Sequence, residues 1–437
     1  MKSIYLKTFG CQMNENDSEI IRGLLKQRGY AFVSEPEEAD VILFNTCTIR
    51  DLADRKAYGT MGILGRLRRK NPDLVFGILG CMAESAGEKV RKNQPLVDLV
   101  AGPRDIPKIP DLLDMVIHEK RPQMAVGGAD DVLSYELPKD RQDTVKAWVT
   151  IMRGCNKLCS FCIVPSVRGR EVSRTMDDVL QEIQELADKG YKEVNLLGQN
   201  VNSYGKDLGR STTFSKLLER VNQIAGIERI RFITSHPMDV RESLIEAMML
   251  EKVCENIHFP IQSGSNRILK LMRRNYTKEK YFGIIDRLRE KVPQITLSTD
   301  IIVGFPGEND EDFEQTCQAM EKMQYENAYI FKYSPRKNTL AATMPDQILE
   351  SVKEERHQIL NTIQNRITLA AYKRQVGKTT EVLVEGPSKM RNDWMMGRNR
   401  QNQIVIFQGQ PDWKGRLISV RILSAATYTL YGEPDFA

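Results

Sequence analysis

Short apolar segments alternate with amphipathic helical segments through most of the chain, and this alternation limits the fold more than any other sequence feature. In the first hundred residues, the strand-like segments IYLKTF, VILFN and LVFGILG are separated by helical patterns such as SEIIRGLLKQRG. Parallel strands need a crossover connection, which is usually a helix, so this order is typical of a parallel sheet. The sequence therefore predicts an α/β protein that begins with a doubly wound parallel-sheet domain over residues 1–118.

The alternation resumes after a predicted linker at residues 119–142. Six strand-like segments follow in the region 143–372: VKAWVTIM, EVNLLG, RIRFITS, NIHFPI, ITLSTDIIVGF and NAYIFKY. A complete eight-stranded βα barrel usually needs about 250 residues. Six units in this shorter region predict an open, partial (βα)6 barrel, with its functional site at the carboxyl ends of the strands.

The last segment, residues 373–437, changes to short strands separated by turn signals, for example TTEVLVEGPS, QIVIFQG and GRLISVRILS. This pattern predicts a small β-barrel. The segment contains ten Lys and Arg residues against six Asp and Glu residues. A basic terminal module indicates a polyanionic partner such as a nucleic acid.

The cysteine content restricts the chemistry. The first residues contain no apolar signal-peptide core, and no apolar run reaches the roughly 18 residues of a membrane span, so we expect a cytoplasmic protein without a membrane partner. Disulfides are rare in that compartment, so the eight cysteines are better explained by metal binding or catalysis. Because only four histidines are present, a metal site must depend on sulfur, which favours zinc or iron–sulfur.

Three cysteines are concentrated in RGCNKLCSFC, directly after the strand-like segment VKAWVTIM: Cys155, Cys159 and Cys162. Most 4Fe-4S clusters have four cysteine ligands, so three closely spaced thiolates suit a cluster with one open iron. An open coordination position is typical of catalytic metals. The alternative is a zinc site that takes its fourth ligand from elsewhere in the chain.

Three further cysteines are far apart in sequence but occupy equivalent positions. Cys11, Cys47 and Cys81 each follow a predicted strand of the first domain. The carboxyl ends of parallel strands meet at one edge of a sheet, so we expect these three thiols to converge. They would form a second cluster site with one open iron. Ordinary core packing is the alternative for any single buried cysteine.

The C-x3-C-x2-C motif resembles the signature of the radical S-adenosylmethionine superfamily. In that superfamily the open iron binds S-adenosylmethionine, whose cleavage gives a radical that removes hydrogen from an unactivated C–H bond. The resemblance implies that residues of the cysteine loop and of the strand ends contact the cofactor: Phe161, Gln199, Gln262, Ser263, Asp300 and Gly304. The alternative is that such residues cap helices and build turns.

The whole chain resembles the methylthiotransferases. TFGCQMN, NTC, GCM, the radical motif and a TRAM-type barrel occur in the family's order. The resemblance implies that Cys11, Cys47 and Cys81 hold an auxiliary 4Fe-4S cluster and that the central cysteines hold the radical cluster. GCQMN, SHPMD and LLGQNVNSYG are most similar to the MiaB-type tRNA methylthiotransferases. These enzymes add a methylthio group to carbon 2 of N6-isopentenyl (dimethylallyl) adenosine next to the anticodon.

The same resemblance implies the cofactors and partners. S-adenosylmethionine would serve both as methyl donor and as radical source, beside two 4Fe-4S clusters. The expected partners are the tRNA anticodon stem-loop, an electron donor such as flavodoxin or ferredoxin, and a sulfur donor. Related branches of the family modify threonylcarbamoyl-adenosine in tRNA or an aspartate of a ribosomal protein, and these remain alternatives. A non-catalytic RNA-binding protein with structural zinc is a more distant one.

Overall fold

The computed structural model describes residues 2–48, 51–129, 137–209, 211–388 and 393–436, with only the backbone of residues 51–55. Three domains follow one another along the chain, in the predicted order. None of the described helices is both long enough and apolar enough to cross a membrane.

The first domain is a six-stranded parallel sheet with the strand order β2-β1-β3-β4-β5-β6. Its strands are β1 (Ser3–Thr8), β2 (Ala31–Phe32), β3 (Val41–Thr46), β4 (Val75–Gly80), β5 (Leu99–Ala101) and β6 (Gln123–Ala125). Its helices are α1 (Gln12–Gln27), α2 (Asp51–Leu64), α3 (Cys81–Ala86), α4 (Glu88–Asn93) and α5 (Ile109–Glu119). Every residue of β3 and β4 is buried, as expected for strands covered by helices on both faces.

The two faces of this sheet have separate apolar cores, which confirms the doubly wound prediction. Leu43 packs with residues of α1 and α5, whereas Phe44 packs with residues of α2, α3 and α4 on the opposite face. Successive strands are added to one side of β1 first and then to its other side, so the strand order reverses between β1 and β3, which are neighbours in the sheet. In sheets of this order, the crevice outside the carboxyl ends at such a reversal is the usual ligand site.

The predicted boundary at residue 118 and the predicted linker at 119–142 need correction. β6 (Gln123–Ala125) pairs in parallel with β5, so the first sheet extends into the predicted linker. Further along, Asp140 forms ion pairs with Arg22 and Lys26 of α1. The described part of the linker is therefore fixed against the first domain by backbone pairing and charge, which apolar periodicity does not reveal.

The central domain has the six predicted main strands, in two parallel sheets of order β11-β10-β7 and β12-β13-β14. Its strands are β7 (Lys146–Thr150), β8 (Met152–Arg153), β9 (Val172–Ser173), β10 (Glu193–Leu197), β11 (Arg229–Phe232), β12 (Asn256–His258), β13 (Thr296–Val303) and β14 (Asn327–Lys332). Its helices are α6 (Val164–Arg168), α7 (Met176–Asp188), α8 (Phe214–Asn222), α9 (Glu242–Ala247), α10 (Asn266–Leu271), α11 (Lys278–Lys291), α12 (Asp310–Met323) and α13 (Glu350–Lys373). One isolated bridge, Ile230 to Val253, connects the half that contains β11 to the segment before β12. One apolar core runs through both halves, so the two sheets form one open barrel.

The last domain is a closed barrel with the strand order β15-β16-β17-β19-β18, as predicted. Its strands are β15 (Thr379–Pro387), β16 (Trp394–Asn399), β17 (Ile404–Gln408), β18 (Leu417–Ala426) and β19 (Thr429–Pro434). Helix α13 leads into it, and Tyr372 near the end of this helix packs into the core of the small barrel.

Buried arginines attach the small barrel to the amino ends of the central strands. Arg229, at the start of β11, is fully buried and donates to the Arg398 carbonyl at 2.6 Å and to the Glu381 carboxylate at 2.9 Å. Arg231 donates to the Asn399 carbonyl at 2.7 Å. The small barrel therefore lies at the end of the central barrel opposite to the strand carboxyl ends.

Candidate active site at two cysteine triads

The structure brings Cys11, Cys47 and Cys81 together at the edge predicted from the sequence. Cys11 occupies the position just before α1, in the turn that follows β1, and Cys81 is the first residue of α3 after β4. A methyl group on Gly10 would lie 2.5 Å from the Cβ of Cys47, so the glycine permits the approach of these two segments. Because β1, β3 and β4 are adjacent in the sheet, the three thiols converge beside the winding reversal.

This first triad carries opposite shifts in acidity. A hydrogen bond with Cys47, the nearby Arg168 guanidinium and the backbone amides of Met13 and Asn14 lower the pKa of Cys11 to about 6. Complete burial raises the pKa of Cys81, and Arg168 opposes that increase. The site therefore favours the thiolate of Cys11, whereas burial disfavours the thiolate of Cys81.

Arg168 connects this triad to the central cysteine loop. It lies at the end of α6, which begins two residues after Cys162, and it donates to Asp17 at 2.7 Å and to Asn14 at 3.0 Å. Ile163 and Val167 of the same segment pack against Cys81. One helical turn thus contacts the first triad while its amino end continues from the second.

The structure also brings Cys155, Cys159 and Cys162 together in the loop after β8. The Cys162 amide donates to the Cys159 carbonyl at 3.1 Å, which closes a tight turn. Burial, with a smaller effect of the neighbouring thiol Cys159, raises the pKa of Cys162 to about 12. Burial likewise raises the pKa of Cys155 to about 11. Without a bound cation these two sulfurs are protonated thiols at neutral pH.

The two triads fit an iron–sulfur cluster better than a single ion. A structural zinc site uses four tetrahedral ligands, whereas each triad supplies three cysteine sulfurs. Buried cysteine sulfurs that lie close together, such as Cys155 and Cys162 with their raised pKa values, are donors that a multi-iron cation converts into thiolate ligands.

Three of the residues predicted to contact S-adenosylmethionine lie near the cysteine loop or in the strands that lead to the barrel mouth. Their polar groups take part in hydrogen bonds. The Gln199 side-chain oxygen accepts from the Gly154 amide at 2.5 Å, next to Cys155. Gln262 has a left-handed backbone, with φ of +73°, and continues the parallel pairing with β13. The Asp300 carboxylate lies 3.3 Å from Nε2 of His258. Their contact with the cofactor remains a prediction.

The other three have clear architectural roles. The fully buried Ser263 hydroxyl lies 3.4 Å from the Thr316 hydroxyl and accepts from the Ser265 amide at 3.2 Å. Gly304 has φ of +68°, and a Cβ there would lie 2.3 Å from Cγ of Lys353. Phe161 packs against the apolar cluster that includes Phe305. These contacts correspond to the structural alternative considered for such residues, and their contact with the cofactor also remains a prediction.

A polar cluster beside the cysteine loop was not predicted as part of the site. Asp239 accepts from Asn200 at 2.7 Å and forms ion pairs with Lys157 at 2.8 Å and Lys206 at 2.6 Å. His236 accepts from the Met238 amide through Nδ1, and its buried Nε2 has no hydrogen-bond partner in the described structure. Burial, with the Arg274 and Lys157 charges, lowers the pKa of His236 to about 2, so the ring is neutral. The motif SHPMD after β11 was the available signal.

Comparisons with known proteins agree with this division of the chain. Residues 149–320 match the model of the Radical SAM superfamily, residues 3–102 match an uncharacterized protein family, UPF0004, and residues 373–434 match the TRAM domain. Two curated relatives bear the name tRNA-2-methylthio-N(6)-dimethylallyladenosine synthase. The one from Acetivibrio thermocellus is 48% identical over 99% of this chain and 91% of its own length. The one from Moorella thermoacetica is 46% identical over 99% of this chain and 98% of its own length.

Two solved structures share the fold at low sequence identity. The radical S-adenosylmethionine methyltransferase TsrM from Kitasatospora setae aligns with a TM-score of 0.57 and 13% identity, covering 78% of this chain and 75% of that protein. The cobalamin-dependent S-adenosylmethionine radical enzyme OxsB aligns with a TM-score of 0.54 and 12% identity, covering 84% of this chain and 56% of that protein.

A partial βα barrel with a three-cysteine loop at its mouth defines a radical S-adenosylmethionine enzyme, with iron–sulfur and S-adenosylmethionine as its cofactors. More narrowly, the full-length identity shows that the chain belongs to the family of the tRNA-2-methylthio-N(6)-dimethylallyladenosine synthases.

Proposed function

We propose that this chain adds a methylthio group to carbon 2 of N6-isopentenyl (dimethylallyl) adenosine next to the anticodon of tRNA. The observation that carries the proposal is the convergence of two cysteine triads on adjoining domains, connected by Arg168 and α6. The names of the full-length relatives support the same reaction. The basic segment that forms the C-terminal barrel supports RNA as the substrate.

In this proposal each triad holds one 4Fe-4S cluster with one open iron. Cys155, Cys159 and Cys162 would hold the radical cluster, and the N-terminal triad would hold the auxiliary cluster. With S-adenosylmethionine, these groups supply hydrogen abstraction from carbon and methylation of sulfur, which no acid or base side chain can perform. Equal molar amounts of iron and sulfide in the purified enzyme would support the assignment, and zinc alone would contradict it.

The chain's own residues would bind and orient S-adenosylmethionine and the target adenine, and would shield both from solvent. Gln199 follows β10 and Asp300 lies in β13. Both offer polar groups that can orient S-adenosylmethionine. The neutral His236 ring offers one unpartnered buried N–H beside the cysteine loop, suited to an acceptor atom of a bound ligand. Bases in RNA loops can be splayed out of the stack, so an adenine beside the anticodon can enter such a pocket.

The reaction also requires partners that supply electrons and sulfur. A low-potential carrier such as flavodoxin or ferredoxin would reduce the clusters, and a separate sulfur donor would replace the sulfur that leaves with each product. Because tRNA is the proposed substrate, we expect the reaction to occur in the cytoplasm. S-adenosylmethionine would be used twice, once as methyl donor and once as radical source.

The competing substrate is threonylcarbamoyl-adenosine, which carries a carboxylate where the isopentenyl group is apolar. A charged group that enters an apolar pocket loses several kcal/mol of hydration, which is enough to exclude it. The test is mass spectrometry of nucleosides after incubation of the reconstituted enzyme with each tRNA, S-adenosylmethionine, sulfide and reductant. We expect methylthiolation of the isopentenylated tRNA only. Equal turnover on both tRNAs, or modification of a ribosomal protein alone, would contradict the proposal.

A further inference from the structure

One arginine contacts the central cysteine triad from a distant part of the sequence. Nη1 of Arg274 donates to Sγ of Cys159 at 3.4 Å, and the Arg274 residue is only 5% exposed. Its other nitrogens donate to the Pro260 carbonyl and to the Tyr276 hydroxyl, both at 3.1 Å. The contact with sulfur is therefore one part of a fixed set of hydrogen bonds.

The backbone around Arg274 is shaped to make this contact. Arg273 and Asn275, on either side of it, both have φ of +55°, a left-handed conformation that is uncommon without glycine. Ser160, the neighbour of Cys159, donates from its amide to the Met272 carbonyl at 3.1 Å. Its hydroxyl donates to the Leu271 carbonyl at 2.8 Å. The cysteine loop thus satisfies the free carbonyls at the end of α10, which fixes it beside the arginine turn.

The charge of Arg274 is directed at the triad. Within the described structure its guanidinium contacts a sulfur, a carbonyl and a phenol, and no carboxylate pairs with it. Lys157, a cation beside the same cysteine loop, is paired with Asp239 at 2.8 Å. In a buried site a positive charge without a counter-ion acts strongly on neighbouring groups, because little solvent screens it.

We propose that Arg274 is a positioning residue that holds Cys159 and raises the reduction potential of the iron–sulfur cluster at the central triad. Net charge and hydrogen bonds to the sulfurs both set the potential of such clusters. Reduction adds one negative charge to the cluster, and a buried cation in contact with a ligand sulfur stabilises that added charge. The inference rests on the proposed function, since it requires a cluster at Cys155, Cys159 and Cys162.

The alternative is that Arg274 only ties Pro260 and Tyr276 to α10. In that case its removal lowers the stability of the fold without a specific effect on the cluster. Arg229 is the matched control, because it is also a buried arginine of the central barrel, at the amino ends of the strands and against Glu381. Its removal should cost stability without changing the charge beside the cysteines.

The experiment is a redox titration of the reconstituted full-length enzyme followed by electron paramagnetic resonance. The radical cluster is identified as the signal that S-adenosylmethionine perturbs. For Arg274→Gln, we expect at least a tenfold decrease in the equilibrium constant for reducing that cluster, which is about 59 mV for a one-electron couple. Arg274→Lys keeps the positive charge but loses the guanidinium nitrogen that reaches Cys159. This variant should give a smaller decrease in the reduction potential. Arg229→Gln should leave the potential unchanged.

An Arg274→Gln potential equal to that of the wild type overturns the inference. If the Gln variant does not retain its cluster, Arg274→Lys decides, and an unchanged potential in that variant also overturns it. A decrease of the same size in Arg229→Gln would overturn it as well, since the effect would then follow from lost stability. Zinc without iron and sulfide in the wild-type enzyme would contradict the proposed function itself, and not only the role of Arg274.

Discussion

Arg168 and Asp17 form a buried ion pair at 2.7 Å between the helix that follows the central cysteine loop and the helix that begins after Cys11. Both side chains are at least 96% inaccessible to solvent. The pair therefore fixes the position of one cysteine triad relative to the other, and it does so with a charge that also acts on Cys11 and Cys81.

Loss of this pair should destabilise the enzyme strongly. Among the described residues, Arg168→Gln leaves the buried Asp17 with Arg153, at 3.3 Å, as its remaining cationic partner. Removing one member of a buried pair typically costs about 3–5 kcal/mol. We expect a large decrease in the melting temperature and a loss of iron from the N-terminal triad before the central one. Arg22→Gln is the control, since its pair with Asp140 is 20% exposed on both sides and should contribute only about 1 kcal/mol. Equal decreases for both variants would contradict the assigned role.

The two triads should be separable by their products. Cys155→Ala removes a ligand from the proposed site of S-adenosylmethionine cleavage, so both 5′-deoxyadenosine and the modified nucleoside should disappear. Cys47→Ala should abolish methylthiolation while 5′-deoxyadenosine is still formed. Chromatography of the reaction mixture measures both products.

The buried cysteines outside the triads provide the control for these variants. Cys317 lies on α12 at 9% exposure, and Cys317→Ala should keep both products. Full methylthiolation by the Cys47→Ala variant would show that the N-terminal triad does not take part in the reaction.

Exposed cations where α13 enters the small barrel should contribute to tRNA affinity. Lys373, Arg374 and Lys378 are all exposed there. For each phosphate that the protein no longer neutralises, the slope of log affinity against log salt concentration should become shallower by about 0.7–0.9. The triple glutamine variant should therefore bind tRNA more weakly and with a flatter salt dependence, as measured by filter binding.

A control with the same change in charge uses exposed lysines on helices of the central domain or directly after them: Lys189, Lys280 and Lys291. Their triple glutamine variant should retain the wild-type salt slope. If both triple variants lose affinity equally, net charge rather than a defined surface of the barrel determines binding.

Stability should depend on pH through Glu19. Burial, only partly opposed by Arg141 and Lys139, raises the pKa of Glu19 to about 7. A carboxyl whose pKa is raised on folding stabilises the fold fully below its unfolded pKa, and this contribution is lost as the pH rises through about 7. Glu19→Gln, which is neutral at every pH, should thus be more stable than the wild type at pH 8, by up to about 3 kcal/mol. The difference should vanish near pH 4, and melting curves at both pH values measure it.

Periodicity and spacing predicted the elements that carry the site, because the determinants are local. Cys11, Cys47 and Cys81 could be assigned to one edge since each follows a strand, and strand direction fixes where the chain emerges. β6 could not be recognised, since QMA is three residues long and is defined only by its pairing with β5.

The contacts between distant segments were beyond sequence reasoning. Arg274 is 115 residues from Cys159, and Arg168 is 151 residues from Asp17. An isolated arginine carries no periodic signal, so only the fold reveals that each lies beside a cysteine triad. Ser263 and Gly304 show the converse, because their positions after strands predicted cofactor contacts whereas their visible contacts are with Thr316, Ser265 and Lys353.

Helix α13 fixes the distance between the carboxyl ends of the central strands and the small barrel. Its first turns contact the carboxyl-end side of the central barrel, where Arg356 pairs with Glu308, and Tyr372 near its other end lies in the core of the small barrel. With 24 residues, the helix spans about 36 Å. If the proposed tRNA substrate contacts the small barrel while its adenine reaches the carboxyl ends of the central strands, the bound RNA must cover a comparable length. A shorter hairpin is then expected to occupy one end only, which would make substrate size a criterion of selection independent of base sequence.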